Sequence, residues 1–229
     1  MASDRNFTYM LKFARQDFAR YIAHLDWIRI VQSSLDRSSL PLVYTEGYSP
    51  KAKLKFSPPL PVGCASECEL VLIFLTENLS ENTVLSSLEN SMPDGMPLTN
   101  VQFMQISLKN PFQAINSALY EMLFPFEMAH EQRIRILDVC MGGPLSGIAD
   151  NVSLDQSGLI VKVVNEEEYL DGVDRINLVA KLEEGKTFHP VKFAIELNRG
   201  LNLPHLPQPK KLAFLNIDEK VARKLFQFD

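Results

Sequence analysis

Little in this chain of 229 residues points to an extracellular or membrane-embedded protein. It holds three cysteines, Cys64, Cys68 and Cys140, an odd number that follows no recognisable secretory leader. A disulfide framework is therefore not expected, and the reducing cytoplasm is the expected setting. No apolar run approaches the roughly 18 residues that a membrane helix needs. The longest, Leu70 to Leu75, is the length of a strand. Positive charge is also in deficit, with 23 Lys and Arg against 28 Asp and Glu and a formal net charge of -5. That balance argues against a protein that coats nucleic acid through bulk charge, but it leaves room for a local basic patch.

Reaction motifs are scarce too. There is no GxSxG, P-loop or GxGxxG, so hydrolase, NTPase and dinucleotide readings lack their anchors. Cys64-Ala-Ser-Glu-Cys68 has the first spacing of a CxxxCxxC cluster motif, but Val71 stands where the third thiolate would be, and two thiolates cannot hold such a cluster. These cysteines read as small buried hydrophobes at a strand end. The chain has four histidines, His24, His130, His189 and His205, and none shows metal-ligand spacing. Neither a metal nor a cofactor is expected. His24 and Asp26 stand two apart at a helix start, an offset that points them to different sides of the helix, so a shared metal is not read there. Asp26 there favours the positive end of the helix.

What is present is a patterned N-terminal half. Phe7 to Phe13 alternates, with Phe7, Tyr9, Leu11 and Phe13 on one face, and predicts a half-buried strand. From about His24 to Leu35 the period becomes helical, with Leu25, Ile28, Val31 and Leu35 as the inner face, until Ser38, Ser39 and Pro41 stop it. Leu42 to Tyr44 opens a second strand, Glu46 to Pro50 carries turn chemistry, and Lys53 to Ser57 alternates again. After the proline-rich loop Pro58 to Gly63, Glu69 to Leu75 reads as a central strand. Ser80 caps a helix whose inner face is Val84, Leu85 and Leu88, and Val101 to Ile106 is the fourth strand. The order is that of a split βαβ, or ferredoxin-like, α+β unit over residues 1–108.

Residues 109–229 are expected to form a second, degenerate α+β unit packed on the first. Leu119 to Phe126, Leu159 to Val164, Arg175 to Lys181 and Val191 to Leu197 read as strands, and Asp218 to Phe226 as a closing helix. Asn110 to Asn116 is the expected connection between the two.

The most informative stretch is Tyr44 to Gly63. Alternation places Lys51, Lys53 and Lys55 on one side of an extended segment, opposite Leu54 and Phe56, and such a row can track phosphates as well as protect a sheet edge. Tyr44, Tyr48 and Trp27 are candidate base-stacking rings, although aromatics at these spacings also serve as core. The short signature of RRM-type RNA binders is missing.

His24-Leu25-Asp26, Glu46-Gly47-Tyr48-Ser49-Pro50, Lys53-Leu54-Lys55-Phe56 and Pro58-Pro59-Leu60-Pro61-Val62-Gly63, taken in order, resemble the radical-SAM-linked protein family of bacteria. Its members share a helix-starting SHLD, a GFNPHPRLSF-like segment and a PPLPVG. Ala23 replaces the usual capping serine here, and Lys51 replaces a common histidine. The resemblance is strongest over the first 75 or so residues and implies a partnership with a radical SAM protein in a setting of RNase and ribosomal genes. The fold plan is also similar to that of tandem ferredoxin-like CRISPR endoribonucleases, whose glycine-rich C-terminal loop this chain lacks.

The expected function is a non-catalytic, cytoplasmic module that binds RNA or a ribosome-related ribonucleoprotein, or docks a radical SAM partner onto it. Its expected contact surface is Tyr44, Glu46, Gly47, Tyr48, Ser49, Pro50, Lys51, Lys53, Lys55 and Ser57, bordered by His24 and Asp26. The alternatives are a metal-independent endoribonuclease with His24 as general acid or base, and a pure protein-protein adaptor.

Overall fold

The computed structural model describes residues 6–89, 91–104, 110–140, 159–164, 174–183, 186–216 and 223–224. The chain adopts an α+β fold and divides into two compact units, Met1–Gln113 and Ala114–Phe226.

In the first unit the periodicities of the sequence become β1 (Phe7–Arg15), α1 (His24–Arg37), β2 (Leu54–Phe56), β3 (Ala65–Leu75), α2 (Glu81–Glu89) and β4 (Leu98–Met104). The strands lie in the order β4-β1-β3-β2, and each neighbouring pair is antiparallel. β1 and β3 match over most of their length, from Phe7 opposite Leu75 to Phe13 opposite Glu69. Because side chains alternate along a strand, Tyr9, Leu11, Phe13, Val71, Ile73 and Leu75 share one face. They build a core with Trp27, Val31 and Leu35 of α1 and Val84 and Leu88 of α2. The start of α2 is as expected: Ser80 accepts from the Thr83 amide at 3.1 Å through its hydroxyl, and Leu79 packs against the core.

The inner face of α1 is rotated from the expected one. Leu25 is 66% exposed, and Trp27 is buried in its place with Val31, Ser34 and Leu35. The reason is area, since an aromatic ring buries more apolar surface than a leucine. Trp27 meets Phe56 at 5.3 Å and Phe13 at 6.3 Å between ring centroids, both edge-on. The expected serine cap of the resembled family is replaced by Ala23, which makes no side-chain capping bond.

The second unit has β5 (Ser117–Phe124), α3 (His130–Cys140), β6 (Ile160–Val164), β7 (Asp174–Glu183), β8 (Lys186–Thr187), α4 (Pro190–Leu201), β9 (Gln208–Asn216) and β10 (Arg223–Lys224). β9, β5, β7 and β6 are neighbours in that order, all antiparallel. The strand expected at Val191 to Leu197 is instead part of α4. Its buried residues Pro190, Phe193, Ala194, Leu197 and Gly200 recur at helical spacing, Pro190 opens the first turn, and the His189 ring accepts from the Lys192 amide at 3.2 Å as the cap. The closing helix expected at Asp218 to Phe226 falls mostly outside the described residues; the two described there, Arg223 and Lys224, pair as a strand with Asn216 and Leu215. Of the connection expected at Asn110 to Asn116, Pro111–Ala114 forms a 3-10 turn. Ile106, the expected end of β4, also lies outside the described residues.

Candidate functional site: a basic hairpin in the sheet edge

The second strand is interrupted. Leu42 bridges Leu75, the Val43 amide donates to the Phe74 carbonyl at 2.8 Å, and pairing with β3 resumes at Leu54 opposite Ile73. The residues between leave the sheet edge and return as a hairpin. Its neck is closed by the Lys53 amide donating to the Val43 carbonyl at 2.8 Å, and its middle by the Thr45 amide donating to the Lys51 carbonyl at 2.8 Å. The Lys51 amide in turn donates to the Thr45 hydroxyl at 3.0 Å. Tyr44 pairs with Ala52 across the hairpin, and Gly47 at the turn has a φ of 128°, a value that favours glycine.

Most of the expected contact residues are on this hairpin and exposed. Glu46, Gly47, Ser49, Pro50, Lys51 and Lys53 are exposed, Tyr48 is fully so, and Tyr44 is 45% exposed. Among the described residues no carboxylate lies within 4.0 Å of the amines of Lys51, Lys53 or Lys55. Two of the expected residues sit differently. Lys55 is half-buried, with Nζ 5.8 Å from the centre of the Phe74 ring. Ser57 is buried: its hydroxyl accepts from the Leu70 amide at 3.1 Å and its own amide donates to the Leu70 carbonyl at 2.9 Å, so it fastens β2 to β3 and offers no surface contact.

His24 and Asp26 are not brought to the lysines. The His24 ring lies against Trp27 at 5.9 Å, in the helical layer, and Trp27 in turn meets Phe56. Lys55 adjoins Phe56 and therefore leaves the strand on the opposite face. Asp26 is exposed and pairs with Arg29 at 2.7 Å. Trp27 itself is fully buried, so of the three candidate rings only Tyr44 and Tyr48 are accessible.

The structure adds residues that the sequence did not single out. Phe74 lines a groove of about 370 Å³ with Lys53, Leu54, Lys55, Ala52, Thr45 and Asn6. Within an unbroken apolar run its facing was illegible; the pairing of Lys55 with Leu72 is what turns it toward the lysines. At the other end of β1, Arg15 is fully buried and donates from Nε and an Nη to the Ala19 carbonyl at 3.3 and 3.0 Å, and to the Ile22 carbonyl. Burial lowers its pKa, and the nearby Glu69 and Cys64 oppose that shift. This arginine ties down the turn that follows β1. A third feature is apolar: Phe18, Tyr21 and Leu25 are 87%, 64% and 66% exposed.

Cys64, Cys68 and Cys140 are buried and form no disulfide, and burial pushes the Cys140 thiol up to about 12. Among the described residues no group of three or more His, Cys, Asp or Glu is placed to hold a metal ion, and no helix is long and apolar enough to cross a membrane.

Residues 8–141 match the model of a family described as uncharacterised protein conserved in bacteria (DUF2344). No curated protein matches the chain.

Proposed function

The chain belongs to that bacterial family, and from this premise we propose that it is a non-catalytic cytoplasmic module that binds RNA or a ribonucleoprotein through the hairpin between Val43 and Leu54, in partnership with a radical SAM protein. The observation that carries the reading is the company of groups on one projecting element. Lys51 and Lys53 are exposed and have no carboxylate partner among the described residues, and Tyr44 and Tyr48 on the same hairpin have accessible rings. Amines that follow a phosphate backbone and rings on which bases stack are the two parts of a sequence-tolerant single-strand site. Each phosphate met by an amine releases counterions, so binding weakens as salt rises.

The partnership rests on the resemblance of His24-Leu25-Asp26 and Lys53-Leu54-Lys55-Phe56, with their neighbours, to the radical-SAM-linked proteins. The endoribonuclease alternative has less support, because His24 lies by Trp27 in the helical layer while Lys53 and Lys55 leave their strand on the opposite face. The test is RNA affinity across a salt series for the parent and for Lys51→Ala/Lys53→Ala/Lys55→Ala. Weakened binding with a flattened salt dependence is expected, and unchanged affinity and slope would remove the RNA reading.

The protein-adaptor reading is favoured by a separate observation, the exposed Phe18, Tyr21 and Leu25. Scattered apolar residues are ordinary, but two aromatics and a leucine this exposed within eight positions of sequence are the kind of surface a protein partner covers. Co-purification of a radical SAM protein that survives nuclease treatment and is lost in Phe18→Ser/Tyr21→Ser would support it.

A further inference from the structure

We propose that the groove beside the hairpin is a nucleotide pocket, in which one unpaired base of a single-stranded RNA lies against Phe74 while Lys53 and Lys55 meet its flanking phosphates. This inference rests on the RNA reading and specifies the form of RNA it takes.

The groove joins two kinds of wall. Phe74 supplies an apolar floor with Lys53 and Lys55 beside it, and Ala52 and Leu54, whose side chains pack toward the helix-side core, complete the lining. At about 370 Å³ it falls at the small end of the roughly 300–1,000 Å³ typical of ligand sites, which suits one nucleotide. Lys55 Nζ already lies 5.8 Å from the Phe74 ring centre, within the range of a cation resting on an aromatic face. An occupant that displaces it has to offer a flat apolar body to the ring and a negative charge to the amine. A nucleotide carries both. Phe74 is held where it is from both sides, since its carbonyl accepts from Val43 and Thr8 lies opposite it on β1. The strand backbone that carries the ring is therefore in place before any ligand arrives, while the lysine stems can swing.

A duplex does not satisfy this site. Its bases are stacked inside the helix and present edges to the protein, so only a looped, bulged or single-stranded segment can place a base face on Phe74. An acidic peptide with aromatic side chains is the competing occupant. It would bring charge and a ring, but it lacks the regular phosphate repeat along the chain that two amines two residues apart on one strand face, Lys53 and Lys55, would meet.

The experiment uses the full chain and a labelled 12-nucleotide unstructured RNA, the same sequence as a duplex, and an acidic tyrosine-containing peptide. Phe74→Leu keeps the floor apolar and removes the stacking face; a loss of at least about five-fold in affinity for the single strand is expected, with the salt slope kept and duplex binding unchanged. Phe74→Trp supplies a second readout, because the chain's one tryptophan, Trp27, is fully buried. Quenching of the new indole by the single strand is expected. Salt-dependent binding by the parent that Phe74→Leu leaves intact overturns the pocket and spares the RNA reading. Quenching by the peptide but not by RNA also overturns it, and absence of any salt-dependent RNA binding by the parent removes both.

Discussion

Gly47 and Gly95 both sit at positive φ, 128° and 77°, yet replacing them should have unequal consequences. At Gly47 a methyl group would meet nothing within 4 Å, so alanine there costs only backbone strain, and that strain can be released by reshaping an exposed turn. At Gly95 the methyl would lie 3.1 Å from the Gln16 carbonyl oxygen and 3.3 Å from the Ala19 methyl, where the Gln16 amide also donates to the Gly95 carbonyl at 2.8 Å. Strain of about 1–3 kcal/mol is then joined by crowding against backbone that cannot give. Urea unfolding should show Gly95→Ala the more damaging of the two; the reverse order would mean that the hairpin turn is integral to the fold. Cys140 makes a different residue-scale prediction. Its thiol is raised from 9.0 to about 12 because burial disfavours the thiolate. A group raised on folding contributes stability that is complete below its unfolded pKa and is lost as pH climbs through the folded one. Between pH 9 and 12 the parent should therefore lose up to about 1.4 kcal/mol per pH unit more than Cys140→Ala does. Urea midpoints at pH 8 and pH 10.5 for both proteins check this, and parallel losses would show that the thiol is accessible.

At the scale of elements, α1 and the hairpin have opposite relations to the core. α1 is anchored by a single large ring between Phe13 and Phe56, so Trp27→Ala should cost about 3–5 kcal/mol in urea unfolding. Leu25→Ala, two residues away and 66% exposed, should cost little, which separates the observed inner face from the one that periodicity predicted. The hairpin hangs from the sheet edge by its neck bonds, and its tip carries no core residue. What the sequence made legible follows from this difference. β1 and α2 were readable because each keeps one period, β3 because its nearly unbroken apolar run marks a central strand, and Ser80 announced its helix by cap chemistry. α4 was misread because Val191, Phe193, Ile195 and Leu197 also alternate, and a seven-residue window fits a strand; extending it to Pro190 and Gly200, and counting Ala194 within it, restores the helical spacing. At the candidate site the exposure of Lys51 and Lys53 could be read from alternation. The burial of Ser57 and the part played by Phe74 could not, since both depend on which residue of β3 stands opposite each residue of β2.

For the molecule as a whole, the question is whether a chain with net charge -5 and a pI near 5.5 can hold a polyanion at all. Averaged over the surface the field repels RNA, so attraction must come from amines close enough to the phosphates to act within a Debye length, about 8 Å at physiological salt. A local mechanism has a numerical signature. Three lysines neutralising three phosphates of a single strand give a slope of about -2 in a plot of log affinity against log salt, and each lysine removed takes away about 0.7. Single replacements at Lys51, Lys53 and Lys55 should therefore flatten the slope in similar steps. Lys55, half-buried over Phe74, should show the smallest step if its amine stays on the ring and an equal one if it swings out to phosphate. Bulk attraction behaves otherwise: it would leave single replacements almost silent and strengthen binding abruptly once pH falls below the pI and the whole chain turns positive. Measuring the slope for the parent and the three single variants at pH 7.5, with one repeat of the parent at pH 5, distinguishes the two. A steep pH 5 gain with no change of slope among the variants would assign any RNA binding to net charge and leave the hairpin without a role.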